Sequence, residues 1–192
     1  MRCAIIVLLW GLFAPGAHAQ QVVEGVRFER ATTVHGQSLM LNGAGLRAMM
    51  IIRVYAAGLY LAQPVTSAQE ALSAPGAKRL RIVMLRKVSA QRLVGNLLSG
   101  VAETTPSATE ARALESRLDA LQRTMLTVDE VQRGQEISLD YAPGEGTRVS
   151  VDGHPLGEPI PGGDFYEALL RIWLSEEAAD QGLRRSLLGL PD

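Results

Sequence analysis

The chain has 192 residues, a formal net charge of −1 and a single cysteine, Cys3. A charge this close to zero gives no general attraction to nucleic acid or to anionic surfaces, so we expect no nucleic-acid partner. One cysteine excludes a disulfide within the chain and a zinc site built from several thiolates, so the fold must depend on its hydrophobic core.

The N-terminus, residues 1–19, has the pattern of a signal peptide. Arg2 supplies a positive charge, residues 4–13 form an apolar run, and Ala17-His18-Ala19 has the small-x-small form that signal peptidase cleaves. The apolar run is too short to span a bilayer, which takes about 20 residues, and no later segment reaches that length. We expect cleavage after Ala19 and a periplasmic or secreted protein, in which residues 20–192 form one domain without an integral membrane segment. The alternative is a buried N-terminal helix.

The segment after the signal peptide is rich in predicted strands. Patterns of apolar and β-branched residues predict four of them, at 22–28, 32–34, 38–41 and 51–61. In the last of these, alternate residues share a face, so Tyr55 and Tyr60 fall on opposite faces of the strand. A further run, Leu80–Leu85, is apolar almost throughout, which indicates a central strand buried on both faces.

Helices are predicted from their capping residues and apolar spacing. A short helix is expected over Ser67–Ser73, and Ser89 is placed to cap a second one. Ser107 and Glu110 have the spacing of a capping box, in which each side chain accepts a hydrogen bond from the other residue's backbone. The helix that follows has an apolar stripe at alternating spacings of three and four.

The C-terminal third returns to strands before it ends in helices. Glu136–Ile160 alternates polar and apolar residues and contains Asp152-Gly153, a type I′ turn signal, which predicts an antiparallel meander. Asp164 is predicted to cap the next helix, and a short helix over Asp180–Leu188 is predicted to end at Gly189. Strands and helices in separate blocks predict an α+β domain with a mainly antiparallel sheet.

The sequence has no residue pattern typical of a metal or cofactor site. Outside the predicted signal peptide the histidines are His35 and His154, which are far apart and lack a carboxylate at a ligand spacing. Gly43-Ala44-Gly45 lacks the third glycine of a dinucleotide-binding loop and is followed by a strand-like run. We therefore predict no metal and no cofactor.

The candidate functional residue is Arg47, the one charge in a run rich in glycine and alanine. The nearest acidic residues in the sequence are Glu29 and Glu70. A partly buried guanidinium needs acceptors for its hydrogen bonds. Backbone carbonyls or a distant carboxylate would make Arg47 structural, whereas the carboxylate, phenolate or enolate of a ligand would make it a binding residue. The residues alone leave both interpretations open.

Several segments resemble the bacterial exported branch of the chalcone isomerase-like family. They occur in the family's order and span nearly the whole chain after the signal peptide: NGAGLR (42–47), VYAAGLYL (54–61), SLDYAPGEGTRVSVDG (138–153), GGDFYEALLRIWL (162–174) and LLG (187–189). The resemblance implies an open-faced β-sandwich, in which a helical layer covers a large antiparallel sheet and a ligand cleft lies between them.

The resemblance also implies a role for Arg47. In the plant enzymes of the family, a hydroxychalcone closes to a flavanone, and the arginine of the G-x-G-x-R motif, here Arg47, stabilises the developing enolate. Tyr55 stands where those enzymes have a hydroxyl that orders the ketone. Non-catalytic relatives instead bind fatty acids, whose carboxylate is held by this arginine and a tyrosine.

This sequence departs from the catalytic pattern at the remaining positions. A helix tyrosine of the enzymes corresponds to Leu93, a strand lysine to Met84, and a C-terminal hydroxyl residue to Ile172 or Trp173. The bacterial branch often has a lysine where this chain has Met49. The departures favour binding over catalysis.

We therefore expect a protein that binds a small hydrophobic anion, of fatty-acid or phenolic type, through Arg47 with Tyr55 or Tyr60. One alternative is an isomerase, an intramolecular lyase acting on a chalcone-like or enone substrate, with Arg47 as its catalytic residue. Another is a structural or partner-binding envelope protein in which Arg47 only satisfies carbonyls.

Overall fold

A computed structural model describes residues 20–191. The predicted signal peptide lies outside these residues, and its cleavage stays a prediction. Strands are formed at β1 (Gln21–Val23), β2 (Val26–Phe28), β3 (Ala31–Val34), β4 (Gln37–Met49), β5 (Ile52–Leu61), β6 (Lys78–Met84), β7 (Val88–Ser89), β8 (Glu130–Val131), β9 (Glu136–Ala142), β10 (Gly146–Val151) and β11 (His154–Pro155). Helices are formed at α1 (Ala68–Ser73), α2 (Ala90–Thr104), α3 (Ala108–Met125), α4 (Gly163–Leu174) and α5 (Gln181–Leu187). No helix of residues 20–191 combines the length and apolar content needed to cross a bilayer.

The main sheet is antiparallel and has seven strands, in the order β11-β10-β9-β6-β5-β4-β3. The hairpin β1–β2 and the pair β7–β8 form two small separate sheets. Strand β6 lies in the middle, as its apolar run predicted, and Leu80 and Met84 are fully buried beneath the helices. Its other face carries Arg79 and Arg81, which are only half-buried.

The two faces of the sheet build separate hydrophobic clusters. The larger cluster lies between the sheet and helices α2, α3, α4 and α5. The smaller lies on the opposite face under the β1–β2 hairpin and includes Phe28, Leu39 and Tyr60. This smaller cluster requires glycine at position 58, because a Cβ there would lie 2.5 Å from the Phe28 ring.

Three local predictions need correction. The expected strand over 22–28 is a hairpin, because Glu24 and Gly25 both have positive φ angles, 51° and 81°, and reverse the chain. Asp164 does not cap α4; Gly162 precedes the helix, and Asp164 forms an ion pair with Arg117 instead.

The capping box at the start of α3 is also half-formed. Ser107 accepts a hydrogen bond from the backbone N–H of Glu110, as predicted. The Glu110 carboxylate, however, accepts from the guanidinium of Arg171 on α4 rather than from Ser107. An interhelical ion pair has replaced the local contact.

Candidate functional site

A cavity of about 270 Å³ lies between the helix-covered face of the sheet and helices α2, α4 and α5. Most of its wall is apolar, and the lining residues include Ile82, Leu93, Leu97, Ile137, Ile172 and Trp173. Arg47, Tyr55 and Asp180 add polar groups to the same wall. An apolar cavity with a few convergent polar groups is the usual form of a small-molecule site.

Arg47 and Tyr55 are brought together by the pairing of β4 with β5. They stand directly opposite each other in the antiparallel register, so their side chains project from the same face of the sheet. Residues opposite each other in this way have Cβ atoms about 4.5–5.5 Å apart. The structure thus places two of the three predicted binding residues side by side on the cavity wall.

The Arg47 guanidinium is only partly satisfied by protein. Its Nη1 donates to Asp180 Oδ2 at 3.1 Å and to the carbonyl oxygen of Ala179 at 3.2 Å. Within residues 20–191, Nε and Nη2 make no hydrogen bond, and the side chain is 21% exposed. Arg47 therefore has a structural partner and also keeps donors for a ligand, which combines the two interpretations that the sequence left open.

Asp180 is the site residue that sequence reasoning missed, because it lies 133 positions from Arg47. It was predicted only as the start of a helix, and it does cap α5, with Oδ1 accepting from the backbone N–H of Leu183 at 2.9 Å. Its other oxygen, Oδ2, faces Arg47. One carboxylate thus fixes the helix and the guanidinium together.

The glycines of the NGAGLR segment explain how α5 reaches Arg47. A Cβ at Gly43 would lie 2.0 Å from the carbonyl oxygen of Ser186, and one at Gly45 would lie 2.5 Å from the Ser186 Cβ. Asn42 donates from Nδ2 to the carbonyl of Leu187 at 2.7 Å. A G-x-G pair inside a strand was the available signal, since glycine there often marks the close approach of another backbone.

Tyr55 offers a hydrogen-bond donor to the cavity. Its hydroxyl oxygen accepts from Trp173 Nε1 at 2.9 Å, and because an indole N–H can only donate, the hydroxyl hydrogen is not used in that contact. Burial raises the pKa of Tyr55, an effect that the Trp173 hydrogen bond and the Arg47 charge oppose in part. The phenol therefore stays neutral and able to donate at physiological pH.

Tyr60, the third predicted binding residue, does not line this cavity. It is 1% exposed and packs in the smaller cluster on the opposite face of the sheet, beside Phe28. The alternation of side chains along β5 is the reason, since Tyr55 and Tyr60 are separated by an odd number of positions. Only Tyr55 can act with Arg47.

The cavity wall carries more negative than positive charge. Its ionisable lining residues, apart from Tyr55, are Arg47 and the carboxylates of Asp180, Glu103 and Glu177. Glu103 and Glu177 are exposed, and neither belongs to an ion pair among residues 20–191. In the same part of the chain, no three histidine, cysteine or acidic side chains come together as a metal-binding group.

The sequence model of the chalcone isomerase-like family matches residues 20–189. The chain belongs to the chalcone isomerase-like family. Among solved structures, a fatty-acid binding protein of Arabidopsis thaliana is similar, with a TM-score of 0.67 and 19% sequence identity over 88% of this chain and 96% of that chain. This likeness confirms the predicted α+β fold, a large antiparallel sheet covered by helices. No curated protein sequence matches the chain.

The positions where this chain departs from the catalytic pattern of the family lie at or near the cavity. Leu93, Ile172 and Trp173 line it, and Met84 is fully buried in the cluster around it. Apolar side chains thus occupy positions at which the resemblance implies hydroxyl or amino groups in the enzymes.

Proposed function

We propose that the protein binds a small hydrophobic ligand in this cavity, with an oxygen atom of the ligand accepting hydrogen bonds from Arg47 and Tyr55. The observation that carries the proposal is a guanidinium with unused N–H groups in the wall of an apolar cavity. The Tyr55 hydroxyl adds a second donor on the same wall. Donors that converge in an apolar space recognise an acceptor group on an otherwise apolar molecule.

The ligand classes that we propose are fatty-acid-like and phenolic molecules. The similar solved structure is that of a fatty-acid binding protein, which favours binding over catalysis in this part of the family. The cavity volume of about 270 Å³ lies just below the usual range of about 300–1,000 Å³ for ligand pockets. A short or medium acyl chain, or a single aromatic ring system, is therefore favoured over a long chain.

A second candidate function is isomerisation of a chalcone-like or enone substrate. Arg47 and Tyr55 could both donate to the ketone oxygen of an enone, on which negative charge develops as the ring closes. The absorbance of a hydroxychalcone, followed with wild-type protein and with Arg47→Ala, tests this function. Equal rates at the uncatalysed level would exclude it.

Trp173 makes binding directly measurable. The other tryptophan, Trp10, lies in the predicted signal peptide, so after cleavage all tryptophan emission comes from Trp173 in the cavity wall. Methyl octanoate, octanoate and a hydroxychalcone are titrated into protein purified from the periplasm while Trp173 emission is recorded. Saturable changes in emission support the proposal, and their absence with all three probes contradicts it.

The role of Arg47 is tested with a matched pair of variants. Arg47→Ala is expected to lower the affinity for the tightest-binding probe about tenfold to a hundredfold, which is the usual cost of losing a hydrogen bond to a charged group. The control is Arg53→Ala, because Arg53 follows on β5 but is 64% exposed and pairs with Glu24 outside the cavity. Equal affinities for Arg47→Ala and wild type would contradict the proposed role.

We also propose that the protein is exported from the cytoplasm with a cleaved signal peptide. The small-x-small pattern at Ala17–Ala19 supports cleavage by signal peptidase and a periplasmic or secreted location. N-terminal sequencing of the protein recovered from the periplasm is expected to begin at Gln20. A protein that retains Met1 and stays in the cytoplasm would contradict this part.

A further inference from the structure

The charges around the cavity oppose a negatively charged ligand. The wall has one guanidinium, Arg47, against three carboxylates, those of Asp180, Glu103 and Glu177. The positive charge is already opposed by Asp180 at 3.1 Å, so an incoming anion meets a neutral ion pair rather than a free cation. The two remaining carboxylates have no cationic partner among residues 20–191 and add repulsion.

Asp180 cannot easily turn away to make room for an anion. Its Oδ1 caps α5 through the backbone N–H of Leu183, and its Oδ2 lies near both Arg47 and the backbone N–H of Ala48, at 3.1 and 3.4 Å. A rotation that released Arg47 would also break the cap of a helix that is docked on β4. The carboxylate is thus held in place by contacts that have no connection with a ligand.

The groups that are left for a ligand are hydrogen-bond donors. They are Nε and Nη2 of Arg47, unused within residues 20–191, and the hydroxyl hydrogen of Tyr55. An ester, a ketone or a phenol can accept from them without bringing a second negative charge next to Asp180. A carboxylate accepts more strongly from a guanidinium, but it also brings a second negative charge next to Asp180.

We infer that this cavity selects ligands with an uncharged oxygen head group over carboxylates, and that Asp180 is the residue that sets the selection. The inference rests on the proposed function and narrows its ligand class. It replaces the anionic ligand that the sequence predicted with an ester-, ketone- or phenol-type molecule. The anionic ligand was expected from the resemblance to fatty-acid-binding relatives, and no acidic residue near Arg47 in the sequence opposed it, whereas the fold supplies one.

Asp180→Asn is the variant that tests the inference. Asparagine is as good an N-cap as aspartate, so its side-chain oxygen keeps the contact with Leu183 while the negative charge is lost. Octanoate and methyl octanoate, which share one acyl chain, are titrated separately at neutral pH against Trp173 emission. Octanoate is expected to bind about tenfold tighter to Asp180→Asn than to wild type, and methyl octanoate to change less than about twofold.

Two further variants make the result specific. Asp152→Asn removes a carboxylate from the turn between β10 and β11, away from the cavity, and should leave both affinities unchanged. Glu103→Gln removes an exposed carboxylate of the cavity wall that caps no helix. This variant should raise the affinity for octanoate by about twofold to threefold. It gives a second measurement of the charge effect that does not involve the α5 cap.

The outcomes separate this inference from the proposed function. If wild type binds octanoate more tightly than methyl octanoate, or if Asp180→Asn leaves the octanoate affinity unchanged, the inference is wrong but a binding site remains. If neither probe changes Trp173 emission in any variant, the proposed function and the inference are both wrong. A higher affinity of Asp180→Asn for octanoate, with the affinity for methyl octanoate unchanged, supports both the proposed function and the inference.

Discussion

Arg47 on β4 and Arg79 on β6 each face one aspartate, but they use their donors in different ways. Arg79 donates from Nε and Nη2 to the two oxygens of Asp140, each at 2.6 Å, and from Nη1 to the hydroxyl of Thr32 at 2.8 Å. Arg47 donates from Nη1 alone, and its distances are above 3 Å. An arginine with every nitrogen in use is structural, whereas one that keeps donors beside a cavity can take a ligand.

The two faces of the sheet show the same contrast on a larger scale. On the Arg79 face the polar groups neutralise one another, and hydrogen bonds to Asp140 raise the pKa of Arg79 despite partial burial. On the Arg47 face the helices leave a cavity, and the polar groups in its wall stay only partly satisfied. Three substitutions test this comparison, in order of decreasing expected effect.

Arg79→Ala should cause the largest loss of stability among the three. It leaves Asp140, which is 8% exposed, as a buried carboxylate without its partner, and such a loss costs about 3–5 kcal/mol. The free energy of unfolding is measured in urea, with Arg47→Ala as the comparison, for which we expect about 1 kcal/mol. Equal losses in the two variants would remove the distinction between the two arginines.

Gly43→Ala should destabilise the docking of α5. The new Cβ would lie 2.0 Å from a backbone oxygen of that helix, so α5 has to move, at a cost of about 1–3 kcal/mol. The control is Gly95→Ala, since Gly95 is an exposed position of α2 with no atom near its Cβ. That variant should gain about 1 kcal/mol from helix propensity. An unchanged unfolding midpoint for Gly43→Ala would show that α5 packs less closely than the structure indicates.

Tyr55→Phe should have the smallest effect on ligand affinity, and it should also cost some stability because Trp173 Nε1 loses its acceptor. Loss of one neutral hydrogen bond costs about 1 kcal/mol, which is about a fivefold weaker affinity for methyl octanoate. Because burial raises the pKa of Tyr55 above its ordinary value, its contribution should stay constant with pH through the neutral range. Tyr60→Phe is the control and should leave the affinity unchanged. A loss of affinity in Tyr60→Phe but not in Tyr55→Phe would reverse the assignment of the two faces.

Much of the fold could be predicted because its signals are local. Ser89 and Ser107 cap their helices as expected, and Asp152-Gly153 forms the turn with the positive φ angles, 47° and 76°, that a type I′ turn requires. The central position of β6 followed from its nearly continuous apolar run, whereas the expected burial of both faces was only partly correct, because Arg79 and Arg81 leave one face half-exposed. The assignment of Asp164 as a cap was wrong because the capping pattern does not show that Arg117, from another helix, binds its carboxylate.

The candidate site was only half predictable for a related reason. Arg47 and Tyr55 could be found because they occur in one hairpin and carry the family resemblance. Asp180 could not, since neither apolar periodicity nor capping rules indicate which distant strand a helix end will face. The separation of Tyr55 from Tyr60 follows from strand alternation alone, so the amino-acid sequence by itself allows only one of the two tyrosines to share a face with Arg47.

The contact between the paired glycines of β4 and helix α5 makes the site separable into two parts. Most of the apolar wall comes from the sheet and from α2 and α4, and Leu183 of α5 adds to it, whereas the acidic partner of Arg47 is the residue that caps α5. If Asp180 sets the preference for ligand charge, exchange of residues 179–189 with those of another family member would change that preference while most of the apolar wall stayed in place.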